Sequence, residues 1–210
     1  MQSMKTVIVV DGIAALAANS VLLFPDHAVV DATHFDEQGA PLDGTRYLCF
    51  SDASQIVEVE VLPVPWVAGA YRVVEGALLL DAELPAWQAY LAQLASAKQQ
   101  LNVRINDWRA EANGTTFPYL GKHIQCDLTS TIDLMGTANQ VALLGTFPPD
   151  FPGAWKAYDN TYIPLPTVED FKALYEAFTQ RGSLNFQHAQ ELKAAVAAAS
   201  TLDELDAIAW

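Results

Sequence analysis

LPAWQAYLAQLASAKQQLNVRINDWRAEANG (residues 84–114) decides how this chain is organised. Pro85 suits a first helical turn, where no backbone N–H is needed, and Asn113-Gly114 is a stop signal. The spacing predicts one long helix over about residues 85–112. Leu84, Trp87, Leu91, Leu94, Leu101, Ile105, Trp108 and Ala112 recur in alternating steps of three and four, with Lys98 at the one polar position. That is the seam of a heptad repeat. Leu84, Leu91, Lys98, Ile105 and Ala112 fall at a; Trp87, Leu94, Leu101 and Trp108 fall at d. Two readings stay open. The seam packs within its own chain, or Trp87, Leu91, Leu94, Lys98, Leu101, Ile105 and Trp108 form a self-association seam between copies. A lone Lys at an a position can fix register or oligomer state. Trp at two d positions is bulky for a tight dimer.

The residues before this helix read as β. TVIVV (6–10), VLLF (21–24) and RYLCF (46–50) are short apolar runs, and IVEVEV (56–61) alternates with period two, as a half-solvated antiparallel strand does. AYRVV (70–74) and ALLL (77–80) flank Glu75-Gly76, a tight hairpin signal. ALAAN (15–19) reads as a short helix.

After the helix, FPYLGKHIQC (117–126) reads as a hairpin or strand-loop piece. STIDLMGTANQVALL (130–144) reads as a helix with Ser130 or Thr131 as N-cap. AWKAYD (154–159) and TYIPL (161–165) form a strand pair turning at Asp159-Asn160. Thr167 caps a helix expected to end near Arg181-Gly182, and a second, alanine-rich helix is expected over 185–199. Thr201 and Glu204 make a capping box for a last short helix, with Trp210 docked. The expected class is α+β: a small antiparallel β N-terminal part (1–82), a long central helix and candidate coiled coil (83–113), and a mostly α C-terminal domain (114–210).

Composition narrows the partners. The chain has 210 residues, 51% hydrophobic and 17% charged, enough apolar content to bury a core. Eleven Lys+Arg against 25 Asp+Glu give a net charge of −14 and no basic cluster, which disfavours phosphate backbones and anionic membrane surfaces. No run of about 18 apolar residues escapes a polar break, so no membrane insertion is expected. A signal peptide over Thr6–Phe24 is disfavoured by Asp11 and Gly12.

Candidate chemistry is sparse. His123, Cys126 and Asp127 are the best thiol- or metal-like cluster, but a metal site needs three or four ligands and the other histidines, His27, His34 and His188, lie far away in sequence. Asp26, His27, Asp31, His34 and Asp36 crowd one turn-rich stretch without calcium-loop spacing. Cys49 reads as core, and Asn113-Gly114-Thr115, formally a glycosylation sequon, as a helix-ending turn. No nucleophile-elbow, phosphate-loop or zinc-protease pattern occurs. No catalytic residue, cofactor or metal is therefore assigned. Trp66, Trp87, Trp108, Trp155, Trp210, Tyr119, Tyr158 and Tyr162 are candidates for a protein or glycan surface, or for core.

INDWR (105–109), FPYLGKHIQCD (117–127), STIDLMGTANQVAL (130–143), WKAYDNTYIPL (155–165), VEDFKALYEAF (168–178) and LKAAVAAASTLDELDAIAW (192–210) together resemble a domain-of-unknown-function family. That family recurs at the C-termini of tailed-phage and prophage proteins, many labelled tail-fibre or tail-fibre-assembly proteins. The likeness covers about residues 103–210; more loosely, PWVAGAYRVVEGALLLD (65–81) is similar to hairpins placed before the helix in small phage tail proteins. The family carries no established catalytic residues. The resemblance implies a structural component of a virion tail, fibre or baseplate, held in the host bacterial cytoplasm before assembly. Its expected partners are itself, as a trimer in keeping with phage fibres, other tail proteins, and a host surface. The rival expectations are an assembly chaperone absent from finished virions, and a thiol- or metal-dependent hydrolase of host glycans.

Overall fold

The computed structural model describes residues 5–19, 21–23, 27–34, 36, 40–48 and 55–210. Their contacts divide the chain into two compact units, residues 1–96 and 97–210, with the division falling inside the long helix. The class is α+β: antiparallel sheets come first, and the C-terminal part is mostly helical.

In the first unit, β1 (Lys5–Val10) and β2 (Ile13–Ala18) are joined by Asp11-Gly12, both at positive φ (51° and 77°). Two consecutive left-handed residues make the turn whose twist matches paired strands. This corrects the helix expected at 15–19. Alanine favours helix, but the Asp11-Gly12 reversal places Ala14, Ala17 and Ala18 opposite β1, and the ladder overrides the propensity. β6 (Gln55–Val59) covers the other side of β1. β7 (Tyr71–Val74) and β8 (Ala77–Leu80) form the expected hairpin, with Glu75 and Gly76 at φ 51° and 80°. The five-stranded order is β6-β1-β2-β7-β8. A second, three-stranded sheet has the order β3-β4-β5, from β3 (Val21–Leu23), β4 (His27–Val30) and β5 (Thr45–Leu48).

The continuous apolar run of β1 is explained by burial on both faces. Val7 and Val9 pack with Ala14, Ala70 and Tyr71, and with Trp66, Ala86 and Trp87. Ile8 points the other way, into a cluster with Ala18 and Val30. Trp66 stacks on Tyr71 with ring centroids 5.4 Å apart.

α1 spans Pro85–Gly114. In the second unit it is followed by the hairpin β9 (Thr116–Tyr119) and β10 (Lys122–Gln125), α2 (Leu128–Leu144), the hairpin β11 (Ala154–Lys156) and β12 (Tyr162–Pro164), α3 (Val168–Ala198) and α4 (Leu202–Asp206). Phe117, Ile124, Cys126, Leu134, Ile163, Leu165, Phe171 and Leu174 make one buried core that unites both hairpins, α2 and α3.

Two boundaries differ from expectation. α2 is capped by Asp127, whose side chain accepts from the Ser130 backbone N–H, and not by Ser130 or Thr131. An extended Asp ahead of the first turn meets an orphan N–H earlier in the chain than the serine can. The two helices expected over 168–199 are one, because Gly182 is not in the left-handed region and the helix runs through it. The capping boxes of Thr167 with Asp170 and of Thr201 with Glu204 are both present. Trp210 sits edge-on to His188, with centroids 4.8 Å apart, and is 40% exposed.

The C-terminal half of α1 runs antiparallel to α3. Lys98 Nζ donates to the Ala197 carbonyl at 3.0 Å, Lys193 Nζ to Asn106 Oδ1 at 2.6 Å, and Asn185 Nδ2 to Asn113 Oδ1 at 2.8 Å. Arg109 lies over the Phe186 ring, 5.4 Å from its centroid. Arg181 donates to the carbonyls of Ala112 and of Asn113, the latter at 3.1 Å. Neither helix has a basic residue in its own last turn. Each therefore receives at its C-terminus a cation from the other helix, which satisfies orphan carbonyls and opposes the negative dipole end.

Gly182→Ala should raise stability by about 0.5–1 kcal/mol, because a helical glycine carries excess chain entropy, and an added Cβ there meets nothing within 4 Å. The urea midpoint reads this, and a lowered midpoint would mean that the helix breaks at this position. Arg181→Ala should cost about 1–3 kcal/mol by stranding the two α1 carbonyls. An unchanged midpoint would show that water serves those carbonyls equally well.

Candidate functional site

The candidate seam on α1 is divided by its surroundings. Leu94 is 9% exposed and Ile105 is fully buried, whereas Leu91 is 40% exposed. Tyr90, one position earlier, is partly buried and stacks on Trp87 at 5.3 Å. Lys98 reaches Ala197 of α3. Leu101 and Trp108 line a groove of about 420 Å³ with Leu205, Ile208 and Ala209, and Arg104 lies 4.9 Å from the Trp108 ring centroid. Lys98, Leu101 and Trp108 of the seam thus meet α3 or the C-terminal segment of the same chain.

His123, Cys126 and Asp127 do not converge. His123 is exposed on β10, with Thr116 Oγ1 3.2 Å from its Nδ1. Cys126, three residues on, lies on the opposite side of the extended backbone and is 3% exposed in the core. Burial pushes its thiol above the ordinary value, so it is poorly nucleophilic. Asp127 closes the N-terminus of α2, and the Ser130 N–H at 2.7 Å holds its carboxyl below the usual range.

Carboxylates of the turn-rich stretch are likewise held in hydrogen bonds within the first unit. Asp31 Oδ1 accepts from Asn19 N at 2.7 Å, and Asp36 Oδ1 from Ala40 N at 2.8 Å. His34 Nδ1 lies 2.6 Å from Asp43 Oδ2, and that contact, with those from Thr33 and two backbone N–H groups, holds the Asp43 carboxyl well below the usual range. Asp26 and Cys49 lie outside the described residues, and His27 is described only as part of β4. Among the described residues, no three His, Cys, Asp or Glu side chains are placed to hold a metal ion, and no helix is long and apolar enough to cross a membrane. Asn113 of the formal sequon is bonded to Asn185.

A cleft of about 820 Å³ lies in the second unit. One wall is the start of α2, with Asp127, Ser130, Ile132, Asp133 and Gly136; the others are the Pro-rich loop and the β11–β12 hairpin, with Phe151, Trp155, Tyr158 and Tyr162. Trp155 leans on Phe171 at 5.8 Å and is anchored, while Tyr158 and Tyr162 are 63% and 59% exposed. Near the mouth, Asp159 is held below the usual carboxylate range by the Thr161 hydroxyl. The cleft is lined by aromatic rings and by Asp127, Asp133, Asp150 and Lys156.

A protein-family description, "Domain of unknown function (DUF4376)", matches residues 96–209. The chain belongs to this family. The matched DUF4376 segment nearly coincides with the second compact unit, residues 97–210, so the sequence family and the folding unit share a boundary inside α1. No curated protein and no solved structure shows a significant match to the chain.

What the sequence left unseen in the DUF4376 unit is the cap at Asp127 and an apolar face on α2. Leu128, Ile132, Met135 and Leu143 are 77%, 59%, 48% and 82% exposed. The signal was their spacing, hidden when the helix is begun at Ser130.

In a Cys49→Ser background, native Cys126 should react with a thiol reagent about a hundred-fold or more slowly than in urea, since only opening of the core exposes it. Equal rates would show a reactive thiol and reopen the hydrolase reading.

Proposed function

We propose that this protein is a non-enzymatic structural component of a bacteriophage tail, placed in a fibre or baseplate appendage and acting by binding itself and other tail proteins. The observation that carries this reading is the division of labour among side chains. Several of the described groups able to do chemistry serve structure, with Cys126 in the core and Asp127, Asp170 and Glu204 on helix N-termini. Exposed apolar and aromatic surface includes the outer face of α2 and the tyrosines of the cleft. Large exposed apolar patches mark sites of association. The resemblance of residues 103–210 to tail-fibre and fibre-assembly proteins supplies the tail context. A net charge of −14 speaks against nucleic acid and anionic membrane as partners. The locations that follow are the virion tail and, before assembly, the host cytoplasm.

Mass spectrometry of purified virions should find the chain at a fixed copy number per tail. A protein needed for infectivity yet missing from finished particles is instead an assembly chaperone, and that result overturns the structural assignment.

A further inference from the structure

We infer that the cleft between α2 and the β11–β12 hairpin receives an arginine-bearing segment of another, basic protein. The hairpin supplies the rings. Tyr162 on β12 is the direct cross-strand partner of Lys156 on β11, so the two side chains stand together on one face. Tyr158, in the turn between the strands, lines the same cleft, and both tyrosines are more than half exposed. Their ring faces are open to a ligand.

α2 and the Pro-rich loop supply the charge. At 100° per residue, Ser130, Asp133 and Thr137 fall within about 60° of one another. All three line the cleft, so Asp133 stands on the side of α2 turned toward it, and Asp150 joins from the loop. Asp127 is engaged by the Ser130 N–H and the Gln125 side-chain amide. Asp133 and Asp150 have no hydrogen bond or ion pair to another described residue. The lining thus sets three carboxylates against one cation, Lys156. Gly136, one turn from Asp133, keeps this wall open. Glycine destabilises a helix interior, yet neither a left-handed backbone nor a close neighbour requires one there, since an added Cβ meets nothing within 4 Å.

Charge complementarity selects the occupant. A chain of net charge −14 repels a second copy of itself and attracts a basic partner. Inside the cleft, free carboxylates beside open rings favour arginine over lysine. A guanidinium lays its flat face on an aromatic ring while its edge donates two parallel hydrogen bonds to a carboxylate. A lysine ammonium is a compact, strongly hydrated point charge and cannot form that fork. An uncharged sugar can use the rings but leaves the excess carboxylates without a countercharge.

This contact deepens the proposed binding of other proteins and rests on that reading only for its context. The probe is a capped pentapeptide with two arginines spaced by alanine, titrated up to about 5 mM into the ¹⁵N-labelled full chain, a range suited to a few exposed charge contacts. Shifts should centre on Asp133, Gly136 and Tyr162 and on the Trp155 indole. Asp133→Asn with Asp150→Asn should weaken binding about three- to thirty-fold, as loss of two partly exposed charge pairs does. Glu58→Gln with Glu60→Gln removes the same charge from exposed positions of the first unit and should leave binding unchanged. The lysine analogue of the peptide should bind at least about two-fold more weakly. Absence of binding, shifts spread over the whole acidic surface, equal weakening by the Glu58 and Glu60 pair, or lysine binding as well as arginine each overturns the inference. So does chitotriose binding in the cleft with no loss in the Asp133 and Asp150 variant. Absence of the chain from virions would remove the tail role and leave this arginine preference standing.

Discussion

The DUF4376 unit depends on an exchange of cations between two antiparallel helices. A helix of about thirty residues ends with carbonyls that have no partner and with a negative dipole end. α1 and α3 both lack a basic residue in the last turn. Arg181, near the middle of α3, serves the end of α1, and Lys98, near the middle of α1, serves the end of α3. The two contacts fix the register from both ends, and Lys193 with Asn106 holds it between them. Charge-assisted hydrogen bonds contribute about 1.5–3 kcal/mol each where they are sheltered from water, more than a neutral pair. With the register set, the first turns of α3 bring Phe171 and Leu174 onto the core beneath α2 and the β9–β10 hairpin.

That pairing bears on where association can occur. In the α1 seam Lys98 donates to a carbonyl of α3, and Leu101 and Trp108 line a groove with the C-terminal segment. α2 rests on the same core through one face only. On its other face Leu128, Ile132, Met135 and Leu143 are exposed, and the cleft beside it keeps two exposed tyrosines. Several acidic side chains serve as caps or turn-closers, among them Asp127, Asp170, Glu204 and Asp36.

Local signals were read from the sequence where one backbone position decides the outcome. Glu75-Gly76 specifies a two-residue reversal, and Thr167 and Thr201 specify capping boxes, because a side chain three residues away completes each hydrogen-bond pair. Reading failed where a distant partner decides. Ala14 and Ala18 look helical until β1 lies beside them. Gly182 looks like a helix end, yet the neighbouring Arg181 is bonded to α1 and the helix passes through. Asp127 looked like part of a chemical cluster because sequence distance cannot show that Cys126 and His123 point to opposite sides of an extended strand.

The sequence by itself determined the α+β class, the long α1 helix, the hairpins and most of the caps, since periodicity and turn chemistry act within a few residues. Only the tertiary structure decided that Lys98 of the α1 seam meets α3 and that Leu128, Ile132, Met135 and Leu143 of α2 stay exposed, because both outcomes depend on residues far apart in the chain.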